Sequence, residues 1–371
     1  MMSFAVRRVA GSPPSLSQPM MKNCAGLLRL LLCGLLLLTL AMAGERAFAA
    51  GSERAGAGKQ RAAGAKGRKR GARQATPARR RAAPARKGRA AAAAPAASAA
   101  AAAPQAAAAQ PELLARCGFT EASRRQLFSH AIYVLDEQSG KPLYERNADA
   151  VAPIASISKL MMAMVWLDHK HEALGSRLEV TGDDLDTLKN TASRLTVGAS
   201  LTRADLLHIA LMSSENRAAA ALSRDYPGGR EAFIAAMNAK AQALGMPHTR
   251  FVNATGLSPE NVSTAHELAG MVRAANGYQL IRQYSVDRQK TVNIGRGQLQ
   301  YVNSNRLVRY GQVSASVQKT GFINEAGHNM VMRLMVHGRR PVVISMLGSD
   351  TGDGSRLDGV RIAKWLNCSL R

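Results

Sequence analysis

Three short motifs carry two serines and two lysines at their defining positions, and these residue types suit nucleophilic catalysis. The motifs are S-x-x-K at 156–159, S-x-N at 214–216 and K-T-G at 319–321. A serine hydroxyl becomes a good nucleophile only when a base removes its proton. Lys159 follows Ser156 by three residues, so on a helix its amine can reach the serine oxygen. The spacing predicts acyl transfer from a serine that a lysine activates.

The lysine must be neutral near pH 7 to act as this base. Burial or a second nearby cation lowers the pKa of an amine, and Lys319 is the natural second cation. A helix N-terminus at Ser156 would also disfavour positive charge and favour negative charge on a substrate oxygen. The backbone N–H of Ser156 is then a candidate donor to that oxygen.

Each motif alone also has a purely structural explanation. Ser156 could be a helix N-cap, and Ser214 and Asn216 could be ordinary turn residues. Lys319 could be a solvated residue at the end of a strand. The order and setting of the motifs favour catalysis: S-x-x-K opens a predicted helix, S-x-N ends one, and K-T-G closes a strand.

The pattern around the motifs predicts an α+β fold. Strand-like runs at 130–136 and 141–145 form a hairpin, and helical periodicity then dominates from 156 to 276. Capping boxes are expected at Thr202 with Asp205 and at Thr264 with Glu267. Further strands are predicted at 290–294, 298–302, 314–320, 329–335 and 341–347, with a final helix at 357–366. The order predicts an antiparallel sheet flanked by helices, with a helical subdomain inserted between its halves.

The first 111 residues differ in composition from the rest. An apolar run at 27–43 follows Lys22 and precedes small residues, which is typical of a secretory signal peptide over 1–49. An uncleaved membrane anchor is the alternative. Residues 51–110 carry 14 Lys and Arg against the single acid Glu53, within a chain of net charge +25. Having no Leu, Ile, Val or Phe, the 50–111 segment is predicted to be a disordered cationic tether.

The tether could be a passive spacer or could adhere to a polyanionic envelope component. Its composition also resembles linker-histone tails, but export argues against nucleic acid as a partner. The catalytic domain is expected at 112–371, with a disulfide between Cys117 and Cys368 left open. The two cysteines of this domain and the lack of an H-x-x-x-H pair give no basis for a metal site, and no cofactor is expected. The predicted location is the periplasm.

With these motifs the sequence resembles the low-molecular-mass penicillin-binding proteins, the serine D-alanyl-D-alanine carboxypeptidase and endopeptidase family. The resemblance covers about 131–366 and includes FVNATGL at 251–257, NSN at 303–305 and GHN at 327–329. The forms PIASISKLMM and LMSSEN are most similar to the D,D-endopeptidase branch that includes penicillin-binding protein 7. The implied substrates are peptidoglycan stem peptides, and the implied inhibitors are β-lactams.

The resemblance implies three catalytic residues. Ser156 would form the acyl-enzyme, with Lys159 as its general base. Ser214 would relay a proton to the leaving amine, helped by Lys319.

The resemblance also implies substrate-binding roles around the third motif. Asn216 would hold the substrate amide, and Thr320 would bind the terminal carboxylate or the peptide backbone. Phe322, just after Gly321, would supply the second N–H to the oxyanion. Arg356 would contribute to carboxylate binding.

Carboxypeptidases of this family often carry a second, strand-rich domain. Here 52 residues follow Lys319, which favours the endopeptidase branch that cuts D-alanyl–diaminopimelate crosslinks. Two rivals stay open. A class A β-lactamase needs a glutamate in an E-x-x-x-N pattern between the second and third motifs; Glu260 does not fit it, and Glu267 is expected to cap a helix. A non-catalytic envelope-binding protein would instead work through its tether.

Overall fold

The computed structural model describes residues 111–169 and 174–370. The predicted signal peptide at 1–49 and the tether, apart from its last residue, lie outside the described residues. A five-stranded antiparallel sheet contains β1 (Ala131–Asp136), β2 (Lys141–Arg146), β9 (Ala315–Ile323), β10 (Gly327–Val336) and β11 (Arg340–Ser349). The order of these strands across the sheet is β2-β1-β11-β10-β9. The strands before and after the helical region therefore meet in one sheet, as the sequence predicts.

Three smaller antiparallel pairs surround this sheet. They are β3 (Ala152–Pro153) with β6 (Val262–Ser263), β4 (Arg177–Glu179) with β5 (Ser200–Thr202), and β7 (Gln289–Asn293) with β8 (Gln298–Val302). The sequence correctly predicts the strands at 290–294 and 298–302, but as members of one antiparallel sheet with the others. The structure corrects this, because β7 and β8 pair with each other in a separate two-stranded sheet.

In the described part of the chain, six longer helices and one four-residue helix lie between β2 and β9, and two helices lie outside this span. The inserted helices are α2 (Ser158–Asp168), α3 (Arg203–Met212), α4 (Asn216–Arg224), α5 (Gly229–Ala243), α6 (Ala265–Ala275) and α7 (Gln279–Val286). The others are α1 (Glu121–Arg125), α8 (Arg306–Arg309) and α9 (Gly352–Ser369). The inserted helical subdomain is thus present.

The central sheet is buried on both faces, which explains why all six residues of β1 are buried. Tyr133 and Leu135 belong to the core shared with the inserted helices, whereas Ile132 and Val134 pack in the core beneath α9. Because side chains alternate along a strand, both faces of β1 must be apolar. The sheet is a partition between two cores.

Helix α2 is buried around its whole circumference from Ser158 to Trp166. A helix without a polar stripe belongs in the interior of a domain. Its burial places Lys159, at the first turn, in surroundings that contain little water. The fold thereby imposes on this lysine the environment that a neutral amine requires.

The structure corrects two predicted element boundaries. Lys319 and Gly321 lie within β9, which runs on to Ile323, so the third motif does not close its strand. The final helix is longer than predicted and begins at Gly352, after Thr351 accepts a hydrogen bond from the backbone of Gly354.

The two predicted capping boxes are only half formed. Thr202 and Thr264 accept backbone hydrogen bonds as N-caps. The Glu267 carboxylate, however, accepts from the Thr249 hydroxyl at 2.6 Å and from the backbone N–H of His248 at 2.9 Å. It stabilises a neighbouring loop instead of its own helix end.

A disulfide joins Cys117 to Cys368 and settles the pairing that the sequence left open. It connects the segment before β1 to the last turn of α9. Because the first turn of α9 lies at the cleft described below, the bond fixes the far end of a helix that helps form the site. None of the described helices is long and apolar enough to cross a membrane.

Candidate active site

Ser156 lies in a short 3₁₀ turn, Ala155–Ile157, directly before α2. Ala155 has a φ of 49°, a left-handed conformation that is uncommon for a residue with a side chain. Two glycines approach this turn closely. A methyl group at Gly256 would lie 2.1 Å from the Ala155 carbonyl oxygen, and one at Gly321 would lie 2.8 Å from the Ile154 carbonyl oxygen. Only glycine allows these two segments to pack against the serine turn.

The Lys159 amine is completely buried and points at Ser156. Its Nζ lies 2.8 Å from the Ser156 Oγ, 2.8 Å from the Asn216 Oδ1 and 2.5 Å from the carbonyl oxygen of Thr255. Burial lowers the pKa of Lys159 to about 7, although the Glu215 carboxylate acts in the opposite direction. A substantial fraction of this amine is therefore neutral at neutral pH.

Lys319 is the second buried amine of the site. Its Nζ donates to the Thr320 carbonyl oxygen at 2.8 Å. Burial and the charge of Lys159 together hold the pKa of Lys319 well below its usual value. The sequence predicts that burial and a second cation lower the pKa of Lys159. Burial does lower it, whereas the repulsion between the two amines acts on Lys319.

The second motif connects α3 to α4. Ser214 has a φ of 66°, and its hydroxyl makes no hydrogen bond to another residue in the described ranges. Asn216 begins α4, and its Nδ2 donates to the Thr191 hydroxyl at 3.1 Å while its Oδ1 accepts from Lys159. Glu215 caps α4 and accepts from the Ser193 hydroxyl at 2.7 Å. The motif thus joins two helices instead of only ending one.

The third motif lies on β9, which is the edge strand of the sheet. Gly321 packs against the serine turn. The Thr320 Oγ1 lies 2.7 Å from the Ser304 Oγ. The Phe322 ring is 52% exposed and stacks on His328 with 4.2 Å between the ring centroids. An edge strand can pair with an extended peptide through its free backbone groups.

A cavity of about 780 Å³ opens onto these residues. Seven of the nine residues that the sequence predicts for the site line it, and Lys159 and Lys319 lie behind its wall with no exposed surface. The seven are Ser156, Ser214, Asn216, Thr320, Gly321, Phe322 and Arg356. The structure therefore brings the three motifs together at one cleft.

Several residues of the site were not predicted from the sequence. Glu215 lies inside the second motif and Thr255 inside the FVNATGL segment. Their membership of these segments is a signal that could have identified both. Thr191 had no such signal, since it meets Asn216 across 25 residues of chain. Ser304 belongs to the NSN segment, but its contact with Thr320 could not be read from the sequence.

In the described part of the chain, no three His, Cys, Asp or Glu side chains are grouped so that they could hold a metal ion. The arrangement instead unites a serine hydroxyl, a buried amine of lowered pKa and a cleft beside an edge strand. Together with the α+β fold, these features define a serine acyl-transferase that works through a lysine base.

The family comparison makes this class specific. Residues 119–351 match the family described as D-alanyl-D-alanine carboxypeptidase, and the chain belongs to that family. It is similar to the D-alanyl-D-alanine endopeptidase of Pseudomonas aeruginosa, with 44% identity over 245 residues, 66% of this chain and 78% of the relative. The Escherichia coli D-alanyl-D-alanine endopeptidase is 41% identical over 249 residues, 67% of this chain and 80% of the relative.

Solved structures agree with the predicted fold. A Streptomyces DD-transpeptidase matches with a TM-score of 0.60 and 25% identity, covering 64% of this chain and 97% of the other. The predictions of an α+β DD-peptidase fold and of a serine-type D-alanyl-D-alanine peptidase are confirmed, in preference to a β-lactamase or a non-catalytic binding protein.

Proposed function

We propose that this chain cleaves peptidoglycan stem peptides and crosslinks after D-alanine through an acyl-enzyme on Ser156. The main support for this proposal is the 2.8 Å contact between the Lys159 Nζ and the Ser156 Oγ. Burial lowers the pKa of this lysine to about 7. A general base is most effective when its pKa lies near the working pH. Lys159 meets that condition and is already within reach of the proton it must accept.

Acylation begins when Lys159 accepts the Ser156 proton while the Oγ attacks the carbonyl carbon of the D-alanine on the acyl side. The carbonyl oxygen becomes an oxyanion and accepts from the backbone N–H groups of Ser156 and Phe322. The close packing of Gly256 and Gly321 against the serine turn supports this role, because a rigid turn holds its N–H in place.

The tetrahedral intermediate then collapses and the scissile C–N bond breaks. The Ser214 hydroxyl donates its proton to the leaving amine and regains one from the protonated Lys159, with Lys319 favouring the transfer. Water then enters, loses a proton to the neutral Lys159 and attacks the ester. The carboxylate product leaves and the Ser156 hydroxyl regains its proton.

Substrate binding follows from the other lining residues. Asn216 holds the amide of the acyl half, and Thr320 binds the carboxylate next to the scissile amide, with Arg356 contributing charge. The names of the 44% and 41% identical relatives support an endopeptidase activity, and the description of the matched family supports a carboxypeptidase activity beside it.

β-Lactams are proposed as inhibitors that acylate Ser156. Between the second and third motifs, Glu267 contacts Thr249 and His248, and it does not offer the water-activating glutamate of class A β-lactamases. The acyl-enzyme with penicillin is therefore expected to be long-lived, and rapid hydrolysis of a chromogenic cephalosporin would contradict this.

We infer the periplasm as the location from the signal-like sequence at 1–49. A polyanionic envelope component is the partner proposed for the cationic segment 51–110. Both segments lie outside the described residues, so this part of the proposal depends on their composition. No nucleic-acid partner is proposed.

The test is labelling with a fluorescent penicillin, comparing the wild type with Ser156→Ala. The wild type should become covalently labelled, and the variant should not, while thermal unfolding shows that both are folded. Mass spectrometry of products from crosslinked dimers and from pentapeptides then measures which bonds are cut. Labelling of a folded Ser156→Ala variant would contradict the proposal.

A further inference from the structure

One corner of the cleft holds Arg306 and Asp353, which the proposed function does not use, beside Arg356, which it assigns to the carboxylate next to the scissile amide. Arg306 at the start of α8 and Arg356 in the first turn of α9 both line the cavity, as does Asp353. The Arg306 Nη1 and the Arg356 Nε both lie 3.3 Å from the same oxygen of Asp353. A single carboxylate thus serves two guanidinium groups, which leaves the trio with a net charge of +1.

The position of this corner follows from a chain of contacts. Gly321 packs on the serine turn, and the next residue toward the N-terminus, Thr320, contacts the Ser304 hydroxyl at 2.7 Å. Arg306 follows Ser304 by two residues. The arginines therefore lie on the Thr320 side of the cleft, where the proposed function places the carboxylate of the leaving group.

The same corner contains polar atoms that the fold leaves without partners. Asn305 and Ser355 line the cavity and are 0% and 2% exposed. Within residues 111–169 and 174–370, neither the Asn305 Nδ2 nor the Ser355 Oγ has a hydrogen-bond partner. Buried polar atoms are nearly always hydrogen-bonded. Two such atoms beside two arginines indicate a site for a polar, anionic group.

We propose that this arginine corner (Asn305, Arg306, Asp353, Ser355 and Arg356) is a second carboxylate site, which receives the terminal carboxylate of the leaving stem peptide in a crosslinked substrate. The inference rests on the proposed function. Trimming of a pentapeptide releases a single amino acid, whose one carboxylate Thr320 can hold. Cleavage of a crosslink releases a whole stem peptide that carries a further carboxylate.

The ion pairs of the corner suit exchange with a ligand. Arg306 is 55% exposed and Asp353 is 68% exposed, and exposed pairs of this kind contribute little to stability. An arginine that turns from Asp353 to a substrate carboxylate can form two parallel hydrogen bonds. The second carboxylate site would thus discriminate crosslinked substrates from short ones.

The test uses the full chain and two substrates, a crosslinked tetrapeptide–tripeptide dimer and a pentapeptide. The Arg306→Gln variant should lower the ratio of kcat/KM for the dimer to kcat/KM for the pentapeptide about tenfold, as expected for a lost charge-assisted hydrogen bond. Arg250→Gln is the matched control, because Arg250 is 67% exposed, pairs with Glu260 at 3.7 Å and does not line the cavity. That ratio should be unchanged in the control.

Two further measurements distinguish binding from a merely structural role. Asp353→Asn removes the competing carboxylate, so it should lower KM for the dimer, whereas Arg306→Gln should raise it. Amidation of the terminal carboxylate of the dimer should cost the wild type the same factor of about ten and cost Arg306→Gln almost nothing, as in a double-mutant cycle.

Equal loss on both substrates in Arg306→Gln, or an amidation effect that persists in it, would overturn the second carboxylate site. Penicillin labelling of the variants keeps this result separate from the proposed function. Labelled variants with an unchanged dimer-to-pentapeptide ratio would count against the arginine corner alone. A wild type that is labelled at no serine and cuts neither substrate would overturn the proposed function and the inference with it.

Discussion

Two pairs of basic side chains serve the same cleft, and they differ in burial. Lys159 and Lys319 have no exposed surface, whereas Arg306 is 55% and Arg356 is 27% exposed. Burial favours the neutral form of an amine, while a guanidinium keeps its charge in nearly every protein environment. The buried pair can exchange protons, and the exposed pair can attract carboxylates.

The difference shows how one cleft separates chemistry from recognition. Lys159 belongs to a helix buried on every side, so its pKa depends on the packing of the whole domain. Arg306 and Arg356 belong to the first turns of helices at the surface, where their positions depend on local contacts with Asp353. Changes to the buried pair should therefore affect the rate of acylation, and changes to the exposed pair should affect substrate preference.

Replacement of Lys159 should have the largest effect. Lys159→Arg keeps the positive charge but removes a group that can become neutral, so acylation by fluorescent penicillin should slow about 10³-fold. Lys159→Met, which is apolar and of similar length, should slow it as much. Lys141→Arg, on the exposed β2 strand, is the control. An acylation rate of Lys159→Arg within tenfold of the wild type would mean that the lysine is not the base.

Loss of the disulfide should lower the stability of the domain but leave acylation by Ser156 and the two buried lysines almost unchanged. Replacing Cys117 and Cys368 together with alanine should lower the free energy of unfolding by about 3 kcal/mol, because the open chain gains entropy when unfolded. Urea unfolding measures this change, with the reduced wild type as control. The acylation rate of the folded variant should stay within twofold. An acylation rate that fell by as large a factor as the equilibrium constant for folding would show that the far end of α9 controls the reaction centre.

Gly321→Ala should displace the serine turn, because β9 packs against this turn at Gly321. The added methyl group would lie 2.8 Å from the Ile154 carbonyl oxygen and 3.1 Å from the Ser156 nitrogen. The turn must shift, so acylation should slow about 30-fold, since small misplacements of catalytic groups are costly. At Gly270, in α6, a methyl group would meet nothing within 4 Å. Gly270→Ala should therefore leave the rate unchanged, and equal effects at the two glycines would contradict the account.

A higher salt concentration should produce the smallest effect of the four changes. It should weaken binding at the exposed arginines more than it slows acylation at the buried lysines. Raising NaCl from about 50 mM to about 500 mM shortens the screening length to a few ångströms. KM for the crosslinked dimer should rise about threefold, because the arginine corner is exposed. The acylation rate constant at saturating penicillin should change less, because the lysines are buried. A larger effect of salt on that rate constant than on KM would contradict the assignment of acylation to the buried pair and of recognition to the exposed pair.

Much of this site could be predicted from the sequence because its chemistry is local. Ser156 and Lys159 are one helical turn apart, and the order of the three motifs was sufficient to place Asn216 and Lys319 in the same site. The strands around the third motif were predicted because their sequences are short, strand-like runs. These inferences need only residue type and spacing.

The rest depends on contacts between distant segments. The Thr255 carbonyl reaches Lys159 across 96 residues, and a carbonyl group carries no residue-specific signal. Gly321 suggested a strand end, whereas it marks a close approach of β9 to the serine turn. The arginine corner combines residues 47 positions apart. None of these pairings has a local pattern that could predict it.

The pH dependence of acylation tests the central claim most directly. Burial lowers the pKa of Lys159 to about 7, and only the neutral amine can accept the Ser156 proton. The acylation rate of the wild type by penicillin should therefore be low near pH 5, rise with pH and level off above a midpoint near 7. A midpoint near 10, where an ordinary lysine titrates, would contradict a buried neutral base. So would a rate that does not change between pH 5 and pH 9.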